Sequence, residues 1–140
     1  MNVDIAPTFL ELANISRPPQ MQGFSFADIL RGASVEWQRK NVYYEYYWEA
    51  PFPQTPTMFA IRTDKYKYIY NHGGWDINEL YDLENDPWEM NNLIRDTSLR
   101  KTGLALRAEL FRWLEETKGM QIPLKTPTGT RFDNLYQSTY

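Results

Sequence analysis

Between Met58 and Tyr70 the side chains alternate so regularly that a pair of extended strands is the structure that suits them. Phe59, Ile61 and Thr63 interleave with Ala60, Arg62 and Asp64; further on, Tyr66, Tyr68 and Tyr70 interleave with Lys65, Lys67 and Ile69. Successive side chains of a strand point to opposite faces, so a period of two separates one face from the other. Thr63-Asp64 stands where the two runs meet, and short polar side chains that bond their own backbone suit a tight turn. The segment is therefore predicted to be a hairpin, with Lys67–Tyr70 returning antiparallel. A lone hairpin is marginal in water and needs neighbours. One is the run Asn41–Trp48, β-branched and aromatic without Gly or Pro, which reads as a strand. Three prolines between Ala50 and Thr57 make the connection a loop. Residues 71–78, with Gly73 and Gly74, form another loop, and Glu79–Leu83 gives a short further strand.

Helical spacing appears at both ends. Ile5, Phe9, Leu12 and Ala13 share one face of a helix over Asp4–Ala13, with Asp4 as its N-cap and Pro7 in the first turn. Asn14 and Arg17-Pro18-Pro19 end it. A helix this short needs a partner surface, and its place at the start points to a partner domain left behind. A loop with Gly23 and a short Phe26–Leu30 segment closed by Gly32 follow. After the strands, Asp86-Pro87 marks a turn and Trp88–Leu93 reads as one or two helical turns. The long helix spans Leu99–Lys118: Leu106, Leu110, Trp113 and Leu114 form its apolar stripe, Leu104 and Phe111 widen it, and Gly119 closes it. The polar tail beyond, with two prolines, is expected to be an extended strap. The fold class is α+β: a small antiparallel sheet of three to four strands packed against a long C-terminal helix. The expected divisions are 1–22, 23–119 and 120–140.

Composition removes several function classes. The chain has no Cys, which excludes disulfides, thiolate metal sites and Cys nucleophiles. The net charge of −3 carries interspersed signs and leaves no basic footprint for nucleic acid. No stretch approaches the roughly 18 apolar residues of a membrane helix, and Met1-Asn2-Val3-Asp4 has neither the basic nor the apolar segment of a signal peptide. His72 is the single histidine and cannot by itself build a His-based metal site. It lies with Gly73, Gly74 and Asp76 in a polar loop, as an exposed loop residue or as part of a ligand rim. Asp82 to Asp86 faintly resembles a calcium loop but lacks the mid-loop Gly and runs into Pro87, so it reads as a solvated turn. Neither a Gly-x-Ser-x-Gly elbow nor a phosphate loop is present. The Tyr-rich strands are core packing and cross-strand pairs, or else a stacking platform for sugars or bases. The residues by themselves give an α+β domain without an autonomous active site.

Four strings in order carry a resemblance. Asp4-Ile5-Ala6-Pro7-Thr8-Phe9-Leu10-Glu11-Leu12-Ala13 and Gln22-Gly23-Phe24-Ser25-Phe26 are followed by Ala60-Ile61-Arg62-Thr63-Asp64-Lys65-Tyr66-Lys67-Tyr68-Ile69. Glu79 to Glu89 then reads Glu-Leu-Tyr-Asp-Leu-Glu-Asn-Asp-Pro-Trp-Glu, and Asn91-Asn92-Leu93 completes it. From Val3 to about Lys118 the set resembles the C-terminal end of the sulfatase family, near bacterial enzymes of sulfated glycans such as N-acetylglucosamine-6-sulfatase. The resemblance implies a small sheet and terminal helix docked on a large α/β catalytic domain, in a periplasmic or secreted protein. It also implies calcium and a formylglycine made from Cys or Ser in a C/S-x-P/A-x-R motif, for the full-length family member. Here the nearest string, Ser25-Phe26-Ala27-Asp28-Ile29, has Ile29 where Arg belongs. No catalytic residue, metal ligand or cofactor is therefore assigned to this chain.

What the resemblance carries over is a substrate rim. The loop between the aromatic strands, from Tyr47, Trp48 and Glu49 to Thr57, approaches the pocket in related glycan sulfatases, often with a His that this sequence lacks. The second rim candidate is the loop from His72 to Asp76, with Trp75 able to stack on a sugar ring. Trp48, Glu49, His72 and Trp75 are thus the candidate site residues. The expected partners are an N-terminal catalytic domain or a second copy of the chain, meeting the first helix. The alternative function is a non-catalytic carbohydrate-binding or protein-interaction module.

Overall fold

The computed structural model describes residues 1–34, 39–48, 55–73 and 76–120. Contacts divide the chain into two compact units, Met1–Lys40 and Asn41–Tyr140.

In the second unit, β1 (Val42–Tyr46), β2 (Thr57–Arg62), β3 (Tyr66–His72) and β4 (Glu79–Asp82) form an antiparallel meander in sequence order. Its register explains the alternation in the sequence. Tyr43 lies opposite Ile61, Ile61 opposite Tyr68, and Tyr68 opposite Leu80, a single row across all four strands. Glu45, Phe59 and Tyr70 make the next row. Phe59, Ile61, Tyr68 and Leu80 are buried on this face. At the hairpin, Thr63 N–H donates to the Tyr66 carbonyl (2.8 Å) and Tyr66 N–H donates to Thr63 Oγ1 (2.9 Å). Thr63 is thus the turn's own clamp, through the local side-chain bonding that marks such residues.

One helix covers that face. α3 (Arg100–Glu116) sends Leu110 and Leu114 into the same cluster as Phe59, Ile61, Tyr68 and Leu80. Trp113 stacks on Tyr43 with ring centres 4.4 Å apart, and Phe111 meets Tyr70 edge-on at 5.0 Å. The Tyr43 hydroxyl donates to Glu109 at 2.9 Å, so the strand's aromatic end is tied by stacking and by a hydrogen bond. Leu104 does not widen the stripe as expected. It is 56% exposed, and the buried residue of that turn is Gly103.

The expected helical turns over Trp88–Leu93 are absent: these residues form turns and extended chain. The physical reason is the free edge of β4. Leu93 N–H donates to the Leu80 carbonyl (2.8 Å), and Leu80 N–H donates to Asn92 Oδ1 (3.1 Å). The segment satisfies an edge whose backbone would otherwise stand open to other chains. Glu89, at φ 57°, supplies the left-handed bend, and Asp86 Oδ2 accepts from Asn91 N–H at 2.8 Å.

The end of α3 departs from expectation in one residue. Lys118 (φ 63°), and not Gly119, takes the left-handed position. Gly119 N–H donates to the Leu114 carbonyl (2.7 Å) and Lys118 N–H to that of Glu115 (3.2 Å), the paired bonds of a Schellman ending. Gly119 is needed for space instead: a Cβ there would lie 2.8 Å from both Glu45 Oε1 and Leu114 Cδ2. Gly119→Ala is therefore expected to destabilise this unit by about 1–3 kcal/mol through overpacking. A urea midpoint equal to that of the wild type would overturn this.

In the first unit a 3₁₀ turn (Asn2–Asp4) leads into α1 (Ile5–Leu12), and α2 (Ala27–Leu30) follows. Asp4 stands at the N-cap of α1, but its carboxylate makes no cap hydrogen bond to the helix. It is completely buried and faces away, accepting from the Phe24 N–H (2.9 Å) and from Arg39. Thr8 Oγ1 accepts from Phe26 N–H at 3.1 Å and donates to the Asp4 carbonyl at 2.6 Å. The helix thus buries its Pro7–Thr8 side, while Ile5, Phe9 and Leu12 remain 46%, 66% and 47% exposed. Gly23 permits the approach of the two segments, because a Cβ there would fall 1.8 Å from the Val3 carbonyl oxygen.

Candidate functional site

β1 leaves the sheet, β2 enters it and β3 leaves it at one common end. Thr57 sits in the middle of that end, 5% exposed, with His72 as its β3 partner. Its Oγ1 accepts from the Trp48 N–H at 2.8 Å. One threonine hydroxyl thus fixes where the chain emerging from β1 stands relative to the last residue of β3. Tyr46 contributes a second tie, its hydroxyl 3.3 Å from Thr55 Oγ1. The Trp48 side chain is 48% exposed, and His72 is exposed with its ring centre 6.4 Å from that of Tyr70.

The connection after β3 is held by three asparagines. Asn71 is 7% exposed; its N–H donates to Asn78 Oδ1 (3.0 Å) and its side-chain amide donates to the Ile77 carbonyl (2.9 Å). Asn92 donates to the Asn78 carbonyl (3.2 Å) while its Oδ1 takes the N–H groups of Leu80 and Ile94. Asn71 is the buried member of this set, and Asn92 is bonded through both ends of its amide, so the three together brace the connection. The loop that begins at His72 therefore starts and ends on fixed backbone.

Of the four candidate site residues, the structure brings Trp48 and His72 to this end of the sheet. Glu49 and Trp75 lie outside the described residues. Thr57 and the asparagine set carried no signal that sequence reasoning used, although Asn92 lies within the quoted Asn91-Asn92-Leu93 string. By residue type the two side chains are an indole and an imidazole, groups that bind by stacking and by hydrogen bonding.

Two phenols are held as donors, Tyr47 next to Trp48 and Tyr81 toward the hairpin end of the sheet. Burial, together with a 2.5 Å hydrogen bond to Glu45, pushes the Tyr47 hydroxyl up to about 12. Tyr81 is likewise pushed up to about 12, first by its 2.5 Å bond to Glu79 and then by burial. Both stay protonated at neutral pH and act as hydrogen-bond donors rather than nucleophiles. Among the described residues no three His, Asp or Glu side chains stand close enough together to hold a metal ion.

Comparison with known proteins places this architecture. Residues 1–116 match the family described as N-sulphoglucosamine sulphohydrolase, C-terminal. The chain is 36% identical over 121 residues to an N-acetylglucosamine-6-O-sulfatase of Bacteroides thetaiotaomicron, covering 84% of this chain and 21% of that one. Among solved structures, a putative sulfatase from the same bacterium superposes with a TM-score of 0.76 at 31% identity, over 91% of this chain and 27% of that one. A second structure, a complex with its substrate D-glucosamine-2-N,6-O-disulfate, gives a TM-score of 0.74 at 33% identity, over 90% and 26%. The chain thus spans about a fifth to a quarter of the length of these relatives.

Proposed function

Because this chain belongs to the N-sulphoglucosamine sulphohydrolase C-terminal family, we propose that it completes a sulfatase acting on sulfated glycans, as scaffold and as part of the substrate-pocket rim. The observation that carries the reading is the Thr57 junction, which holds Trp48 and His72 at one end of the sheet. A half-exposed indole on fixed backbone suits stacking on a sugar ring, and His72 at the same end of the sheet suits a polar group of the ligand. Glu49 and Trp75 belong to the same two loops and complete the proposed rim.

The reaction itself is assigned elsewhere. Sulfatases of this family generally use formylglycine and calcium, and the residues described here compose neither centre. The 140-residue chain is expected to give no turnover of a chromogenic sulfate ester, with or without calcium. Metal-dependent turnover would sink the assignment. In a longer sulfatase that includes this region, Trp48→Ala is expected to raise KM for a sulfated disaccharide several-fold more than it lowers kcat. An unchanged KM would remove Trp48 from the rim.

The apolar stripe of α1 supports a partner for the first unit. Ile5, Phe9 and Leu12 are exposed together, which is unusual for a surface meant to stay wet. The catalytic portion of the longer protein is the proposed partner, ahead of a second copy of the chain. Sedimentation separates them, since a dimer that dissociates on Phe9→Glu substitution would favour the second copy.

A further inference from the structure

A cavity of about 210 Å³ opens between the N-terminal half of α3 and the β3–β4 edge. Its lining is mostly apolar, formed by Tyr68, Leu80, Ile94, Leu99 and Leu104, with Asn78 adding one amide. Arg100 and Arg107 stand at its rim. The two guanidinium groups have different settings. Arg107 lies over the Phe111 ring at 4.8 Å and the Tyr70 ring at 5.7 Å and also donates to the Tyr68 hydroxyl, so these contacts position it and its other N–H groups are left to meet a ligand. Arg100 is exposed. Among the described residues neither pairs with a carboxylate.

Two further features run against a merely structural gap. Helix starts favour acids, yet the first turn of α3 holds none and begins Arg100-Lys101, the nearest acid being Asp96, which caps the preceding 3₁₀ turn. The helix also places Gly103 in the cavity wall, where glycine is less favourable than Ala in a helix interior. Packing does not demand it, because a Cβ there would meet only Leu80 Cδ2, at 3.8 Å, an ordinary contact. What the glycine leaves is volume.

We propose that this cavity binds a single six-membered ring carrying a sulfate or carboxylate group, with the ring on the Tyr68–Leu80 floor and the anion held by Arg100 and Arg107. The volume decides the size, since pockets for larger ligands run to about 300–1,000 Å³ and this one takes one ring and not a chain of them. A planar, bidentate donor suits both oxyanions, and the apolar floor selects against a bare ion. The site stands independently of the Trp48–His72 rim.

The test is an amide-shift titration of the ¹⁵N-labelled 140-residue chain with phenyl sulfate, N-acetylglucosamine 6-sulfate, unsulfated N-acetylglucosamine and inorganic sulfate. The expected result is saturable shifts at Gly103 and Leu104 at millimolar concentrations, for at least one of the two sulfated rings. Which of them saturates decides between an aromatic and a sugar source. Arg100→Gln is expected to weaken binding about tenfold, by loss of one charge-assisted contact. Gly103→Ala should melt at a higher temperature and yet bind more weakly, which separates cavity filling from misfolding. Trp48→Ala should leave these shifts unchanged, so failure here and failure of the rim reading are distinguishable. The proposal is overturned by absence of saturation with both sulfated rings, by equal affinity for inorganic sulfate or the unsulfated sugar, or by full affinity in Arg100→Gln.

Discussion

Leu110→Ala is expected to lower the unfolding free energy of the sheet-and-helix unit by about 3–4 kcal/mol, near the upper range for a buried leucine. The reason is how few side chains of the helix are fully buried in the core. Only Gly103, Leu110 and Leu114 of α3 are buried, so Leu110 is one of two large apolar side chains by which the helix enters the core. Its surroundings resist collapse into the gap. Trp113 is held in a stack on Tyr43, and Phe111 is held edge-on to Tyr70, so neither ring can swing inward without losing its own partner. The strand side is no softer, since Phe59, Ile61, Tyr68 and Leu80 are fixed by register as well as by packing. A urea titration should show a lower midpoint with an unchanged slope. Leu110→Met, which keeps volume, should cost less than about 1.5 kcal/mol. A loss below about 1 kcal/mol for the alanine variant would mean that the helix is not what closes this core.

That core was legible because period two is a strong signal when it runs for a dozen residues. Tyr66, Tyr68 and Tyr70 declared a face, Phe59 and Ile61 declared the same face on the other limb, and their register followed. What stayed hidden depends on contacts that local pattern cannot carry. Lys118 takes the left-handed position because Gly119, the obvious choice, is required one residue later to pass Glu45 and Leu114. Trp88–Leu93 has helical-looking composition, but the unpaired edge of β4 supplies bonds that a helix would forgo. In both places long-range demand overrides local preference.

The candidate site was legible in part, and for a similar reason. Trp48 and His72 stand out by residue type, as the aromatic at a strand end and the single histidine. That they share one end of the sheet follows from register, which pairs His72 with Thr57, and from a hydroxyl that reaches the Trp48 N–H. Nothing in a threonine at a strand start announces such a junction. Arg100, Arg107 and Gly103 were invisible in a different way. Each is ordinary in a helix, and only the cavity they share makes them a set.

The largest effect on the first unit is expected at Asp4. Burial acts to raise this carboxyl's pKa, but the Met1 amine, the Phe24 N–H and the Arg39 charge together outweigh it and hold the group below the usual carboxylate range. A group so depressed contributes stability that is present above its unfolded value and is lost as pH falls through the folded one. The first unit should therefore loosen in acid before the sheet-and-helix unit loses its core. Asp4→Ala removes the acceptor altogether. It leaves the Phe24 N–H and the Arg39 guanidinium without their partner, and Arg39 Nε is already buried with no partner among the described residues. Removing one member of a buried pair costs about 3–5 kcal/mol. A unit spanning Met1–Lys40 has little surplus to absorb that loss. The amides of Phe24 and Phe26, held by Asp4 and Thr8, should then exchange with solvent orders of magnitude faster, while amides of β2 and β3 keep their protection. Asp4→Asn preserves an acceptor for Phe24 but not the charge, so it should fall between the two and should lose the acid dependence. Unchanged exchange at Phe24 in the alanine variant would show that Gly23 packing alone joins α1 to the following loop.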